Sequence, residues 1–157
     1  MRIEYRGYLI RNAAPDDAAL LYGWWNDGRV MAHAGFPNGL NTTPEKVIAG
    51  LAADTDVTYR RLMIEIAGTP VGEMSCRNMG GGTAQIGIKI CRFDYQEKGH
   101  GSIFLKMLIN SLFTDYGYQK IILDTNLKNT RAQHVYEKLG FQKVRVNRDS
   151  WKNQLGE

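Results

Sequence analysis

The spacing of apolar positions changes along the chain, and each change marks an element. Leu20, Leu21, Trp24 and Trp25 recur at helical spacing behind Pro15-Asp16-Asp17, where a proline and two carboxylates suit a first helical turn. Asn26-Asp27-Gly28 stops that helix, and residues 29–41 read as a loop. Thr43-Pro44-Glu45 opens a second helix, with Thr43 as N-cap, that runs to about Ala53. From residue 61 the period falls to two: Leu62, Ile64 and Ile66 share one face, and Ile86, Ile88 and Ile90 share another. Strands at 61–66, 71–78 and 85–91, joined by turns at Gly68-Thr69-Pro70 and Gly80-Gly81-Gly82, predict an antiparallel meander.

The pattern then alternates between helix and strand. A glycine-containing loop leads from the 85–91 strand into a helical run over 102–116, which Gly117 ends. A strand at 120–125 follows, then a helix over 129–139 with Ala132, Val135, Tyr136 and Leu139 on one face and Gly140 just beyond its end. A last strand is predicted at 141–146. With a short strand at 8–11, the order is β-α-α-β-β-β-α-β-α-β, an α/β architecture with a mixed sheet.

Composition narrows the class. The 157 residues suit one domain, large enough to bury a core without disulfides or metals. The net charge is +4, but the basic residues are scattered and no run of five Lys or Arg occurs, so a nucleic-acid partner is not expected. A locally basic site would still suit a small polyanion, such as a coenzyme with several phosphates. The two cysteines, Cys76 and Cys91, are too few for a disulfide framework. In the predicted hairpin Cys76 faces about Gln85 and Cys91 lies far up the partner strand, so they should not pair. This suits a reducing compartment. The first seven residues contain no apolar run of a signal peptide, and no stretch approaches the roughly 20 apolar residues of a membrane span. A cytoplasmic protein without a membrane partner is predicted. His33 has no His or Cys at metal-ligand spacing, so no metal is expected.

The most informative segment is Ile90 to Gly101. A strand ends, a loop with two glycines follows, and a helix begins. A helix N-terminus offers about four unpaired N–H groups and roughly half a positive charge, which together make a ready phosphate site. Gly99 and Gly101 let a diphosphate approach the backbone, and Lys98 adds a cation. Neither Gly-x4-Gly-Lys-Ser/Thr nor Gly-x-Gly-x-x-Gly occurs in this segment. On the residues alone, a phosphate loop and a plain helix-starting turn both fit.

Gln96-Glu97-Lys98-Gly99-His100-Gly101 resembles the Gln/Arg-x-x-Gly-x-Gly/Ala signature of the GNAT acetyltransferase superfamily. Asn129-Thr-Arg-Ala132-Gln-His-Val-Tyr136-Glu-Lys-Leu-Gly140-Phe141 is similar to that family's second helical motif. The helix and strand between them, and the order of the earlier elements, also match. Trp24-Trp25-Asn26-Asp27 looks like the branch that acetylates ribosomal-protein alanines.

The resemblance implies a mixed, mostly antiparallel sheet flanked by helices, with the strands at 85–91 and 120–125 splayed apart. It implies acetyl-CoA as cosubstrate, its diphosphate on the backbone of Gln96, Glu97, Lys98, Gly99, His100 and Gly101. Ile90 and Cys91 would bond the pantetheine amides, Asn129 and Ala132 would lie along that arm, and Tyr136 would sit near the thioester sulfur.

The chemistry gives Tyr136 a reason. A phenol, with a pKa of about 10, stays protonated at neutral pH and can donate to a thiolate leaving group whose pKa is about 8.5. On spacing alone Tyr136 reads better as a core aromatic of its helix, and the motif match reverses that. For a general base, Glu73, Asp124 and a water relayed from either are all open; Asp124 also resembles an acidic position that holds cationic substrates in aminoglycoside acetyltransferases. Trp24 or Trp25 would line the acceptor pocket. Cys91 has no His or Asn context as a nucleophile, and direct transfer needs none.

The acceptor is then a primary amine, on a small molecule or a protein N-terminus. The rival is a non-catalytic coenzyme A-binding module of the same fold. Family members usually continue into a further strand where 149–157 closes this sequence. That strand is expected to be missing, truncated or supplied by a second copy in a homodimer.

Overall fold

The computed structural model describes residues 1–32, 36–125 and 129–142. Its strands are β1 (Arg2–Tyr5), β2 (Tyr8–Asn12), β3 (Tyr59–Ile66), β4 (Thr69–Gly80), β5 (Thr83–Ile90) and β6 (Lys120–Leu123). Its helices are α1 (Ala18–Trp25), α2 (Gly28–Met31), α3 (Pro44–Ala53), α4 (His100–Thr114) and α5 (Thr130–Lys138). The chain divides into two compact units: Met1–Pro15 with Gly50–Asp124, and Asp16–Ala49 with Thr125–Glu157.

The first unit holds one six-stranded sheet in sequence order, β1 to β6. Neighbours from β1 to β5 are antiparallel, and β6 joins β5 in parallel. The parallel step needs a crossover, which α4 supplies. Three two-residue turns make the hairpins: Arg6-Gly7, Ala67-Gly68 and Gly81-Gly82, with positive φ at both positions of each. That geometry matches the twist of the flanking strands.

The register sorts the two faces. Ile10, Ile64, Gly72 and Ile90 stand side by side, as do Leu62, Met74 and Ile88. The helix α4 packs on this face and buries Phe104, Leu105, Leu108 and Leu112. A side chain at Gly72 would meet the Lys89 carbonyl oxygen at 2.1 Å, so only glycine allows the two strands to approach there. The opposite face carries Arg11 paired with Glu65 at 2.6 Å and Lys89 with Glu73 at 3.5 Å.

In the second unit, Thr43 caps α3 through a 3.3 Å bond from the Lys46 N–H, as predicted. Leu21 is fully buried on α1, whereas Leu20 is exposed.

Several expectations need correction. β1 was not predicted: its alternation, Arg2-Ile3-Glu4-Tyr5, lasts only four residues, too short to stand out, and its side chains are mostly exposed. The short helix α2 lies where a loop was expected. The β4–β5 turn is Gly81-Gly82 alone, because β4 runs on to Gly80. A register shift between Asn78 and Gly80 places Cys76 opposite Ile86, with Gln85 opposite Arg77. β6 ends at Leu123, two residues short of the predicted strand, and α4 spans 100–114 in place of 102–116. The strand predicted at 141–146 falls almost wholly outside the described residues; Phe141 and Gln142 are described and are not in a strand.

Candidate functional site

The first unit builds the site around β5. On one flank β5 pairs with β4 from Gly72↔Ile90 to Gly80↔Thr83. On the other it pairs with β6 only from Thr83↔Lys120 to Ile86↔Leu123. Beyond Ile86, β6 has ended at Leu123, and among the described residues no strand pairs that flank of β5, which leaves a gap there. Strand alternation then fixes which groups face the gap. The Cys91 N–H bonds the Val71 carbonyl at 2.8 Å, on the β4 side. The backbone groups of Ile88 and Ile90 therefore point the other way, toward the unpaired flank. Of the two residues proposed to meet a pantetheine arm, Ile90 faces the gap and Cys91 has its N–H engaged elsewhere.

A loop closes the end of this gap. After β5 a single 3₁₀ turn (Phe93–Tyr95) redirects the chain, and the Gln96 amide Nε2 reaches back to the Ile90 carbonyl at 2.9 Å. Glu97 and Gly99 both have positive φ, +62° and +81°. Such left-handed residues turn successive amides toward a common point, a geometry suited to anions. Gly99 is the N-cap of α4 and has no side chain to cap it, so the first-turn amides are left for another acceptor. Glu97, Lys98 and Gly99 are exposed; Gln96, His100 and Gly101 are half-buried. Nδ1 of His100 lies 2.8 Å from the Tyr8 hydroxyl on β2. The sequence reading missed this pair, which spans 92 positions and belongs to no motif.

The carboxylates named as bases are both engaged. Glu73 stands opposite Lys89 and pairs with it. Asp124 lies just past β6, exposed, and its Oδ2 accepts from Gln85 Nε2 at 2.8 Å. Gln85 is a second residue that sequence reasoning passed over. Both thiols are free and buried. Burial pushes Cys76 up to about 11, and burial with the nearby Glu73 charge pushes Cys91 higher still. Neither supplies thiolate at neutral pH.

The second unit carries the other predicted residues. Asn129 is the N-cap of α5, its Oδ1 accepting from the Ala132 N–H at 3.2 Å. Tyr136 lies one turn beyond Ala132 on the same helix, half-buried, with its ring edge-on to Phe141 at 6.3 Å. Burial raises its phenol pKa above the ordinary value, which holds the proton more firmly. Trp24 and Trp25 are half-buried at the end of α1. His33 lies outside the described residues. Among the described residues, no three His, Cys, Asp or Glu side chains gather as metal ligands, and no helix is long and apolar enough to cross a membrane.

A mixed sheet with a single parallel pair, in which β5 runs on past the end of β6 and leads into a helix N-terminus, has the architecture of the GNAT type. The sequence agrees: the model of the acetyltransferase (GNAT) domain matches residues 8–142, and the chain belongs to that family. No curated protein matches the sequence. Among solved structures, the ribosomal-protein alpha-N-acetyltransferase RimL in complex with coenzyme A is similar at 14% identity and TM-score 0.84, over 98% of this chain and 91% of that one. Spermidine N-acetyltransferase from Vibrio cholerae, with coenzyme A and spermine, is similar at 19% identity and TM-score 0.80, over 95% and 89%. An aminoglycoside acetyltransferase in complex with coenzyme A is similar at 23% identity and TM-score 0.73, over 87% and 84%. At these identities the likeness is one of fold.

Proposed function

We propose that this chain is an acetyl-CoA-dependent N-acetyltransferase that transfers the acetyl group directly to a primary amine in a ternary complex. The observation that carries the reading is the open flank of β5 beside the uncapped start of α4. A pantetheine arm would complete the hydrogen bonding of Ile88 and Ile90, and the diphosphate would take the amides from Gln96 to Gly101. Three fold neighbours solved with coenzyme A support the choice of ligand.

In the reaction the amine nitrogen attacks the acetyl carbonyl, the carbon–sulfur bond breaks, and sulfur leaves with the electron pair. Tyr136 gives its phenolic proton to that sulfur and regains one from solvent. The amine loses its extra proton to water or to a carboxylate, either Glu73 or Asp124. General acid help of this kind is typically worth about 10²–10⁴-fold. Asn129 and Ala132 lie along the pantetheine arm, and Trp24 and Trp25 border the acceptor. The acceptor class is a primary amine, in keeping with neighbours that act on spermidine, aminoglycosides or a protein N-terminus. The protein works in the cytoplasm as a single GNAT domain, alone or as a homodimer.

The test is thiol release from acetyl-CoA, measured against spermidine, an aminoglycoside and a peptide with a free N-terminus. Free thiol should appear in step with acetylated amine for at least one class. Calorimetric binding of coenzyme A with no thiol release from any amine would favour the non-catalytic module. An absence of binding at millimolar coenzyme A would remove the cofactor assignment altogether.

A further inference from the structure

Four rings bracket the candidate diphosphate loop. Tyr8, on β2, packs edge-on to Phe104 of α4 at 5.2 Å and tilts against His100 at 5.7 Å. Tyr95, just before the loop, also tilts against His100, at 5.9 Å, and the Arg92 guanidinium lies over Tyr95 at 5.7 Å. His100 is the first residue of α4 and the fifth of the six loop residues. It is the one member of the cluster with two ring nitrogens to distribute. Nδ1 is taken by the Tyr8 hydroxyl at 2.8 Å, and Nε2 has no partner among the described residues.

A neutral imidazole has one donor nitrogen and one acceptor nitrogen, and the group on one side decides the other. An imidazole nitrogen is a far better acceptor than a phenol oxygen, and a phenol is a good donor. The favoured pairing is therefore Tyr8 O–H donating to Nδ1, which leaves the proton on Nε2. An anionic ligand needs a proton on Nε2, since a phosphate oxygen cannot face a nitrogen lone pair. We infer that Tyr8 is a positioning residue for the coenzyme site: by donating to Nδ1 of His100 it holds that ring as the Nε2–H tautomer, a donor to the coenzyme's phosphates. The inference rests on the proposed coenzyme reading and extends it to a residue outside both motifs.

Tyr8→Phe keeps the ring against Phe104 and removes only the hydroxyl. At pH 8, coenzyme A should bind Tyr8→Phe about 3–10-fold more weakly than wild type, the worth of one hydrogen bond. In wild type the ring ¹⁵N shifts of His100 should show Nε2 protonated; in Tyr8→Phe they should move toward a mixture. His100→Ala and the double variant should bind equally, because Tyr8 acts only through His100. Thermal unfolding of each variant checks that the sheet still forms. Wild-type binding with no loss in Tyr8→Phe, or additive losses in the double variant, overturns this inference alone. A wild-type chain that binds no coenzyme A overturns it together with the reading beneath it.

Discussion

The loop from Gln96 to Gly101, the proposed diphosphate site, and the helix that carries Tyr136 are held in different ways. The loop is fixed at both ends: Gln96 bonds the Ile90 carbonyl, Tyr95 packs tilted against His100, and His100 is tied to β2 through Tyr8. The helix behind it, α4, buries four large apolar side chains. By contrast, α5 buries none of its residues fully, and its start rests on the Asn129 cap and its end on the turn that brings Phe141 against Tyr136. The difference separates two tasks. A rigid, prebuilt loop lowers the entropy lost on binding an anion. On the proposed reading Tyr136 is a proton donor, which must keep its proton, and burial holds that proton more firmly.

If that division is right, changes to α5 alter turnover and changes to the loop alter affinity. The largest expected effect is at Tyr136. Tyr136→Phe keeps the ring and its contact with Phe141, so coenzyme A affinity should stay within twofold. Its kcat should fall tenfold or more. Burial raises the phenol pKa, so in the wild type the donor form persists through neutral pH and is lost only above the ordinary value of about 10. Turnover should therefore show no decline from this group below pH 10. Unchanged kcat in the variant would return Tyr136 to the role of a packed aromatic.

A smaller effect is expected at the loop. Gln96→Ala removes the 2.9 Å bond to the Ile90 carbonyl and leaves that carbonyl without its partner. Coenzyme A affinity should drop about 3–10-fold, with kcat at saturation little changed. A fall in kcat with affinity intact would break the comparison, since the loop would then be shaping the reaction and not the binding.

The same contrast governs what could be read from the chain. β5 was legible because one face is buried, with Ala84 and Ile86 inward, and β3 because Leu62, Ile64 and Ile66 keep the period of two even though Met63 is buried on the other face. β1 was not, since four residues of alternation on a mostly exposed edge strand are too few to stand out. The β4–β5 register was expected within one residue, with Cys76 opposite about Gln85 where Ile86 stands; the irregularity between Asn78 and Gly80 is a detail that periodicity cannot reveal. The loop could be found from its glycines and the helix that follows. The pairs that hold the site could not: Tyr8 with His100 and Gln85 with Asp124 each join positions far apart in sequence, through side chains common at any surface. Local rules expose elements and motifs, whereas long-range side-chain bonds appear only once the sheet has set its register.

The smallest effect expected is at Cys91, and it sharpens the chemistry. Cys91 follows β5 directly, the position from which a nucleophilic thiol could accept the acetyl group first and pass it on. A thiol can do so only as thiolate. Burial, with Glu73 nearby, pushes its pKa up, and burial pushes Cys76 up to about 11. At pH 8 a thiol of pKa 11 is about one part in a thousand ionised, roughly a hundredfold less than one of pKa 9. Iodoacetamide should therefore label both cysteines of the native chain at least a hundredfold more slowly than a free thiol. Incubation with acetyl-CoA should leave no acetyl mass on the protein under conditions where an amine is acetylated. Rapid labelling of Cys91, or an acetyl group trapped on it, would replace direct transfer with a two-step route and leave the diphosphate loop's role intact.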